Sequence, residues 1–246
     1  MDQPCSFEDL RACLRSIASV NRVTFAHFAT IRWLESIAAQ LLKEKRTIHL
    51  VDVGCGYGDL LRRIDRWATA KGIPIVLTGI DLNIDAIRAA CEATRPGTVT
   101  YHTVNAFDFH PPDGIDLVVS SLLTHHLQDE EIVEFLKWME AKTRVGWFVN
   151  DLHRQRVPYY AFRMLRHFTR WHAFVKHDGP VSIQRSFRQG DWDALCVAAA
   201  IPKSSYTVLE HRPARLCVAR VRTKESVPIG ADVSQLSLKK AKISNL

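Results

Sequence analysis

The first 45 residues alternate apolar and polar positions at helical spacing. Leu10, Leu14 and Ile17 mark one stripe, and Phe25, Phe28, Ile31, Leu34, Ile37 and Leu41 mark a second, which predicts two helices within Phe7 to Lys45. The rhythm then changes. Ile48 to Val53 is a short β-branched run that ends in a glycine cluster, followed by a helical stretch to about Ala70. Further strands are predicted at Pro74 to Asp81, Thr98 to Val104, Ile115 to Ser121 and Val145 to Asn150, with helices at Asn83 to Thr94 and Asp129 to Lys142. Asn83 has the side chain and the place of an N-cap. Strands that alternate with helices at this spacing imply βαβ units, a parallel sheet and right-handed crossovers.

Beyond Asp151 the pattern loosens. Pro158 to Phe174 reads as a helix rich in aromatic and basic residues, and Asp191 to Ala200 as another. Tyr206 to His211 and Leu216 to Val221 read as two strands of a closing pair, and Thr223 to Leu246 as a polar tail. The expected organisation is an N-terminal helical lid over 1–45, an α/β domain over 46–222 with a lid insertion at about 153–190, and a flexible tail over 223–246.

Composition narrows this picture only at its edges. The net charge of +7 permits a polyanionic partner without selecting one. The six cysteines are scattered with no C-x-x-C pair or Cys/His cluster, so neither a metal site nor a disulfide framework is expected. No 18-residue apolar run and no signal-peptide pattern is present, and Asp2, Glu8 and Asp9 lie where such a peptide avoids acids. The expectation is a soluble, cytoplasmic protein.

The segment richest in chemistry is Val51-Asp52-Val53-Gly54-Cys55-Gly56-Tyr57-Gly58-Asp59. A strand runs into a tight glycine turn, and the helix after it offers free N–H groups to a ligand. Dinucleotide enzymes use G-x-G-x-x-G at such a turn, but Asp59 stands at the third glycine and would oppose a pyrophosphate. Gly79-Ile80-Asp81-Leu82-Asn83 ends the next strand with a carboxylate able to accept both hydroxyls of a ribose. Val104-Asn105-Ala106-Phe107-Asp108 follows the third strand, and Ser120-Ser121-Leu122-Leu123-Thr124-His125-His126-Leu127 follows the fourth.

Together these segments resemble the motifs of class I S-adenosylmethionine-dependent methyltransferases of the small-molecule type, over roughly Ile48 to Asp151. The resemblance implies a Rossmann-like fold with a seven-stranded, mostly parallel sheet, and S-adenosylmethionine as cofactor. It implies that Asp52, Gly54, Cys55, Gly56 and Gly58 hold the methionine part. Asp81 would meet the ribose, Asn105 and Ala106 would frame the adenine, and Leu82 and Ser121 would be further cofactor-binding positions. Arg32, from the leading helices, would reach the cofactor carboxylate.

The resemblance leaves the acceptor open. Methyl transfer from a sulfonium needs alignment, and a hydroxyl acceptor also needs a base. The candidates are His126, His125 and His153. Asn150-Asp151-Leu152-His153-Arg154 with Tyr159-Tyr160, and His177 to Ser182 downstream, resemble bacterial methyltransferases of phenolic and polyketide pathways. That points to O-methylation of an aromatic, polyketide-derived or lipid-tailed hydroxyl. The basic, aromatic stretch from His153 to Arg188 reads as a substrate lid, a helix lying on a membrane surface, or an ordinary amphipathic helix.

The alternatives are carbon methylation of a quinone-type ring, RNA methylation, or a non-catalytic cofactor-binding partner subunit. Ser120-Ser121-Leu122-Leu123 stands where base-amine methyltransferases carry an Asn/Asp-Pro-Pro-aromatic turn, so nucleic acid is the less favoured acceptor.

Overall fold

The computed structural model describes residues 6–154, 185–212 and 214–222. The aromatic, basic stretch from 158 to 174 and the tail over 223–246 lie outside the described residues.

Seven strands form one sheet: β1 Ile48–Val53, β2 Ile75–Asp81, β3 Thr100–Thr103, β4 Ile115–Ser121, β5 Thr143–Leu152, β6 Tyr206–His211 and β7 Arg215–Val221. Their order is β3-β2-β1-β4-β5-β7-β6. The first five pair in parallel, and β7 lies antiparallel between β5 and β6. This is the expected seven-stranded, mostly parallel Rossmann-like sheet, and the expected closing pair is β6 and β7. β5 extends two residues past the predicted Asn150 and so carries Asp151 and Leu152 within the sheet.

Among the described residues the α-helices are α1 Phe7–Val23, α2 Phe28–Lys43, α3 Asp59–Lys71, α4 Ile84–Ala93, α5 Asp129–Lys142 and α6 Gln189–Ala198. Their starts follow local chemistry. The Ser6 hydroxyl accepts from the Asp9 amide at the head of α1, and Asn83 Oδ1 accepts from the Asp85 and Ala86 amides at the head of α4. Glu131 reaches back to the Gln128 amide to cap α5.

Strand alternation divides the core into two layers. Leu50, Leu117 and Phe148 face Trp33, Leu34, Ile37 and Leu41 of α2 and Leu61 and Ile64 of α3. The Trp33 and Phe148 rings stack at 5.0 Å. Val51, Val118 and Trp147 face Ile132, Leu136 and Met139 of α5 and Trp192 and Leu195 of α6. Burial of these side chains supplies the main driving force, at about 1.5–3 kcal/mol each before entropy is counted. α2 is therefore integral to one core layer, while α1 packs through Leu10 and Leu14 on Ala86 and Ala89 of α4.

From β1 the chain runs outward to β2 and β3, whereas β4 and β5 lie on the other side of β1. The direction of winding reverses between β1 and β4, and a crevice opens at their carboxyl ends. The glycine loop leaves β1 there, and the histidine turn leaves β4 beside it.

Candidate active site

The glycine loop is tied to the end of β2. The Gly54 and Cys55 amides donate to the Ile80 carbonyl at 2.9 and 3.1 Å, and the Gly56 amide donates to Asp81 Oδ2 at 2.9 Å. Asp81 Oδ1 accepts from the Asn83 amide at 2.9 Å, which fixes the carboxylate at the strand end. Gly56 and Gly58 both take left-handed backbone, φ +49° and +70°. A β-carbon on Gly58 would lie 2.1 Å from the Tyr101 hydroxyl, whereas one on Gly56 would meet nothing within 4 Å. The main chain at Gly56 thus borders open space, as a loop that cradles a ligand must. Cys55 is buried, and burial pushes its thiol far above the ordinary range, so it is an unreactive wall of the loop.

Asp52 is 2% exposed, and its carboxylate has no hydrogen-bond partner among the described residues. Burial, then the charges of Asp59 and Asp81, push its carboxyl well above the usual carboxylate range. A buried anion with no donor is a receptor for a cation, and an ammonium group fits it.

The other cofactor candidates lie around this cradle with differing roles. Leu82 is exposed next to Asp81. Asn105 caps a short 3-10 turn by accepting from the Phe107 amide at 3.1 Å, above buried Ala106. Ser121 Oγ is buried with no partner among the described residues, so it has a hydrogen bond to offer. Arg32 stands apart. Its guanidinium lies over the Phe28 ring, 5.8 Å from the centroid, and its charge lowers the pKa of His211 together with burial, the larger cause. These contacts place Arg32 beside Phe28 and near His211 of β6.

The second wall is the turn after β4. Ser120 Oγ donates to the Val53 carbonyl at 3.0 Å and locks the two strand ends together. Leu122 takes left-handed backbone, φ +60°, and turns the chain over the glycine loop. A β-carbon on Gly54 would lie 3.0 Å from Leu123 Cδ1, so this turn packs directly on the cradle. Thr124–His126 follow as a 3-10 turn. His125 is buried, with Nδ1 2.7 Å from Asp151 Oδ1, and its amide donates to Asp151 Oδ2 at 3.1 Å. His126 is exposed on one side and lies 4.1 Å, ring to ring, from His125. Partial desolvation, then the His125 charge, lower its pKa below the ordinary histidine value.

His153 is held elsewhere. Its amide donates to the Ala214 carbonyl, it bridges to Phe187, and its Nε2 lies 3.9 Å from Glu210 Oε1 of β6. These contacts place His153 just past the end of β5, beside Phe187 and Glu210.

Several residues that complete the site were not singled out from the sequence. Asn21 and His27 of the α1–α2 region bind Asp59, the first residue of α3, at 3.1 and 2.7 Å. Asn150 Nδ2 donates to the Ala26 carbonyl at 2.8 Å and to Thr30 Oγ1 at 3.1 Å. Asp151 anchors the histidine turn. The available signal was the polar pair Asn150-Asp151 at the end of an otherwise apolar strand.

Comparison with known proteins bears on this geometry directly. Residues 50–146 match the family model described as a methyltransferase domain. A crystal structure of the plantazolicin methyltransferase BpumL, in complex with a pentazolic desmethylPZN analog and SAH, superposes with a TM-score of 0.60 at 13% identity, over 88% of this chain and 97% of that one. Human N-acetylserotonin methyltransferase in complex with SAM gives 0.60 at 12% identity, over 89% of this chain and 57% of that one. A SAM-dependent methyltransferase from Aquifex aeolicus gives 0.51 at 14%, over 76% and 89%. At these identities the likeness is one of fold. The family match marks residues 50–146 as a methyltransferase domain, and the fold is the Rossmann-like one of these S-adenosylmethionine-dependent methyltransferases. The domain is that of a methyltransferase enzyme, and S-adenosylmethionine is the cofactor such a domain uses. The cradle fits that molecule: buried, unpartnered Asp52 suits its ammonium, and the open face of Gly56 leaves room for its chain.

Proposed function

We propose that the enzyme methylates a hydroxyl of a small aromatic or polyketide-derived acceptor that carries an apolar portion. The observation that carries this reading is the packing of Leu123 against Gly54, which sets two histidines beside the cofactor cradle. The bound cofactor supplies an electrophilic methyl group on a sulfonium. This chain's residues do the rest. Asp52 receives the ammonium, Asp81 accepts from the ribose hydroxyls, and Asn105 and Ala106 border the adenine. The histidine turn, which packs on the cradle through Leu123, would supply the base that takes a phenolic proton during attack. His153, engaged toward Glu210, has no part in this reading.

The rim favours an apolar acceptor. Val23, Phe25 and Phe28 are exposed around the α1–α2 turn, and Ala26 and His27 in the same turn are tied to Asn150 and Asp59 at the crevice. Such a patch on a turn tied to the site suits the apolar part of a substrate. No helix among the described residues is long and apolar enough to cross a membrane.

The test is turnover of S-adenosylmethionine with phenols, alkylresorcinols, hydroxypyrones and quinols, followed by product mass and position of the methyl. A single methyl ether supports the reading. A methyl on ring carbon, or turnover only with RNA, overturns it.

A further inference from the structure

We infer that Asp151 is a positioning residue for methyl transfer: it holds His125 with Nε2 free, so that His125, rather than His126, takes the acceptor proton. This rests on the hydroxyl-acceptor reading and names its base.

Asp151 lies at the end of β5 and is 0% exposed. Its Oδ1 accepts from His125 Nδ1 and from the Leu152 amide, each at 2.7 Å, and its Oδ2 accepts from the Thr124 hydroxyl and the His125 amide. Burial alone would push this carboxyl up, but the His125 ring and the Thr124 hydroxyl outweigh it and hold it below the usual range. Asp151 is therefore a carboxylate and accepts only. His125 Nδ1 must carry the proton, which leaves the lone pair of the neutral ring on Nε2. That nitrogen makes no hydrogen bond among the described residues and is not sealed in.

Capping the turn accounts for Oδ2, which binds the Thr124 hydroxyl and the His125 amide. It does not account for the ring on Oδ1. A buried carboxylate behind one imidazole nitrogen, with the other nitrogen free, is the arrangement that orients a base and stabilises its cation. The His126 ring has no hydrogen-bond partner among the described residues, its amide alone being bonded, to the Leu123 carbonyl. The groups facing the pair are Asp151, Arg215 of β7, whose charge acts on Asp151, and Arg185, whose charge opposes protonation of His126.

In the step, the acceptor O–H bond breaks and its proton passes to His125 Nε2. The oxygen forms the new O–CH3 bond, and the C–S bond breaks with its electron pair left on sulfur. The products are a methyl ether, a neutral thioether and an imidazolium paired with Asp151, which then releases the proton to water.

The first measurement needs neither a variant nor an acceptor. Nitrogen-15 chemical shifts of the His125 ring in the full chain should show the Nδ1–H tautomer when the ring is neutral. An Nε2–H tautomer overturns the inference even if an acceptor is found. The second uses the turned-over acceptor. His125→Ala and Asp151→Asn should each lower kcat about 100-fold or more, the scale of positioned acid–base catalysis. KM for S-adenosylmethionine should hold, the alkaline-going rise in kcat/KM should be lost in His125→Ala, and Asp151→Glu should restore part of the rate. The double variant should lose no more than either single one. A greater loss in His126→Ala than in His125→Ala overturns the inference, as does an unchanged kcat in Asp151→Asn on whatever atom the methyl is found.

Discussion

His27 Nε2 lies 2.7 Å from Asp59 Oδ2, joining the turn between α1 and α2 to the first residue of the helix that follows the glycine loop. Asn21 adds a second bond to the same oxygen, and Asn150 grips the turn from β5 through the Ala26 carbonyl and Thr30. The leading helices are thus anchored at two walls of the crevice.

His27→Ala should lower stability by about 1.5–3 kcal/mol, the range for a hydrogen bond to a charged group, and should weaken cofactor binding. Burial pushes the Asp59 carboxyl up, but the bonds from His27 and Asn21 prevail and hold it below the usual range. A depressed carboxyl stabilises the fold above its unfolded value and loses that contribution as pH falls through its folded value. Denaturant titrations should therefore show the wild type losing more stability than His27→Ala as pH falls into and below the usual carboxylate range. Parallel curves would remove His27 from the account.

Asp52→Asn should act in opposite directions on the free and loaded enzyme. The raised carboxyl of Asp52 disfavours its charged form in the fold, so stability is complete below its unfolded value and declines as pH rises toward its folded value. The amide removes that decline, and the apo variant should melt higher at neutral pH. Calorimetry should show S-adenosylmethionine binding weakened roughly tenfold to hundredfold, as expected for a lost charged partner. An unchanged Kd would mean that the ammonium lies elsewhere.

Alanine at two glycines should separate backbone strain from collision. At Gly56 only the left-handed backbone resists, at about 1–2 kcal/mol. At Gly58 the same strain is joined by a clash with Tyr101, whose hydroxyl pairs with Thr94 at 3.0 Å. Thermal melts should rank Gly58→Ala well below Gly56→Ala, while Gly56→Ala should weaken cofactor binding out of proportion to its stability.

Phe25 is a bulky residue with φ +52° and 64% exposure, a strained position that buries little. Phe25→Gly should leave stability within roughly 1 kcal/mol, since relief of strain offsets the greater freedom of the unfolded chain. KM should rise for acceptors with long apolar tails and hold for short phenols. Equal KM changes for both would deny Phe25 a role in selecting the tail.

The sequence is most legible where structure is local. β1, its glycine loop and the Asn83 cap can be read from neighbouring residues, because strand periodicity, tight turns and caps are decided within a few positions. Leu123 on Gly54, His27 on Asp59 and Asn150 on Thr30 join segments 32 to 120 residues apart, and no periodicity announces them. His153 shows the limit in the other direction. Its place after β5 makes it a candidate base in the sequence, and only the folded chain shows its ring 3.9 Å from Glu210 of β6, a neighbour 57 residues away that no local pattern announces.

β7 enters the sheet between two strands made before it, with Leu216, Cys217 and Val218 fully covered. During synthesis β6 therefore leaves the ribosome with no edge to join, since the strand that links it to β5 comes last. The order of manufacture differs from the order of assembly. Until β7 arrives, the growing chain exposes the open side of β5 as a template for unwanted pairing, a hazard that ends only when the closing strand zips in.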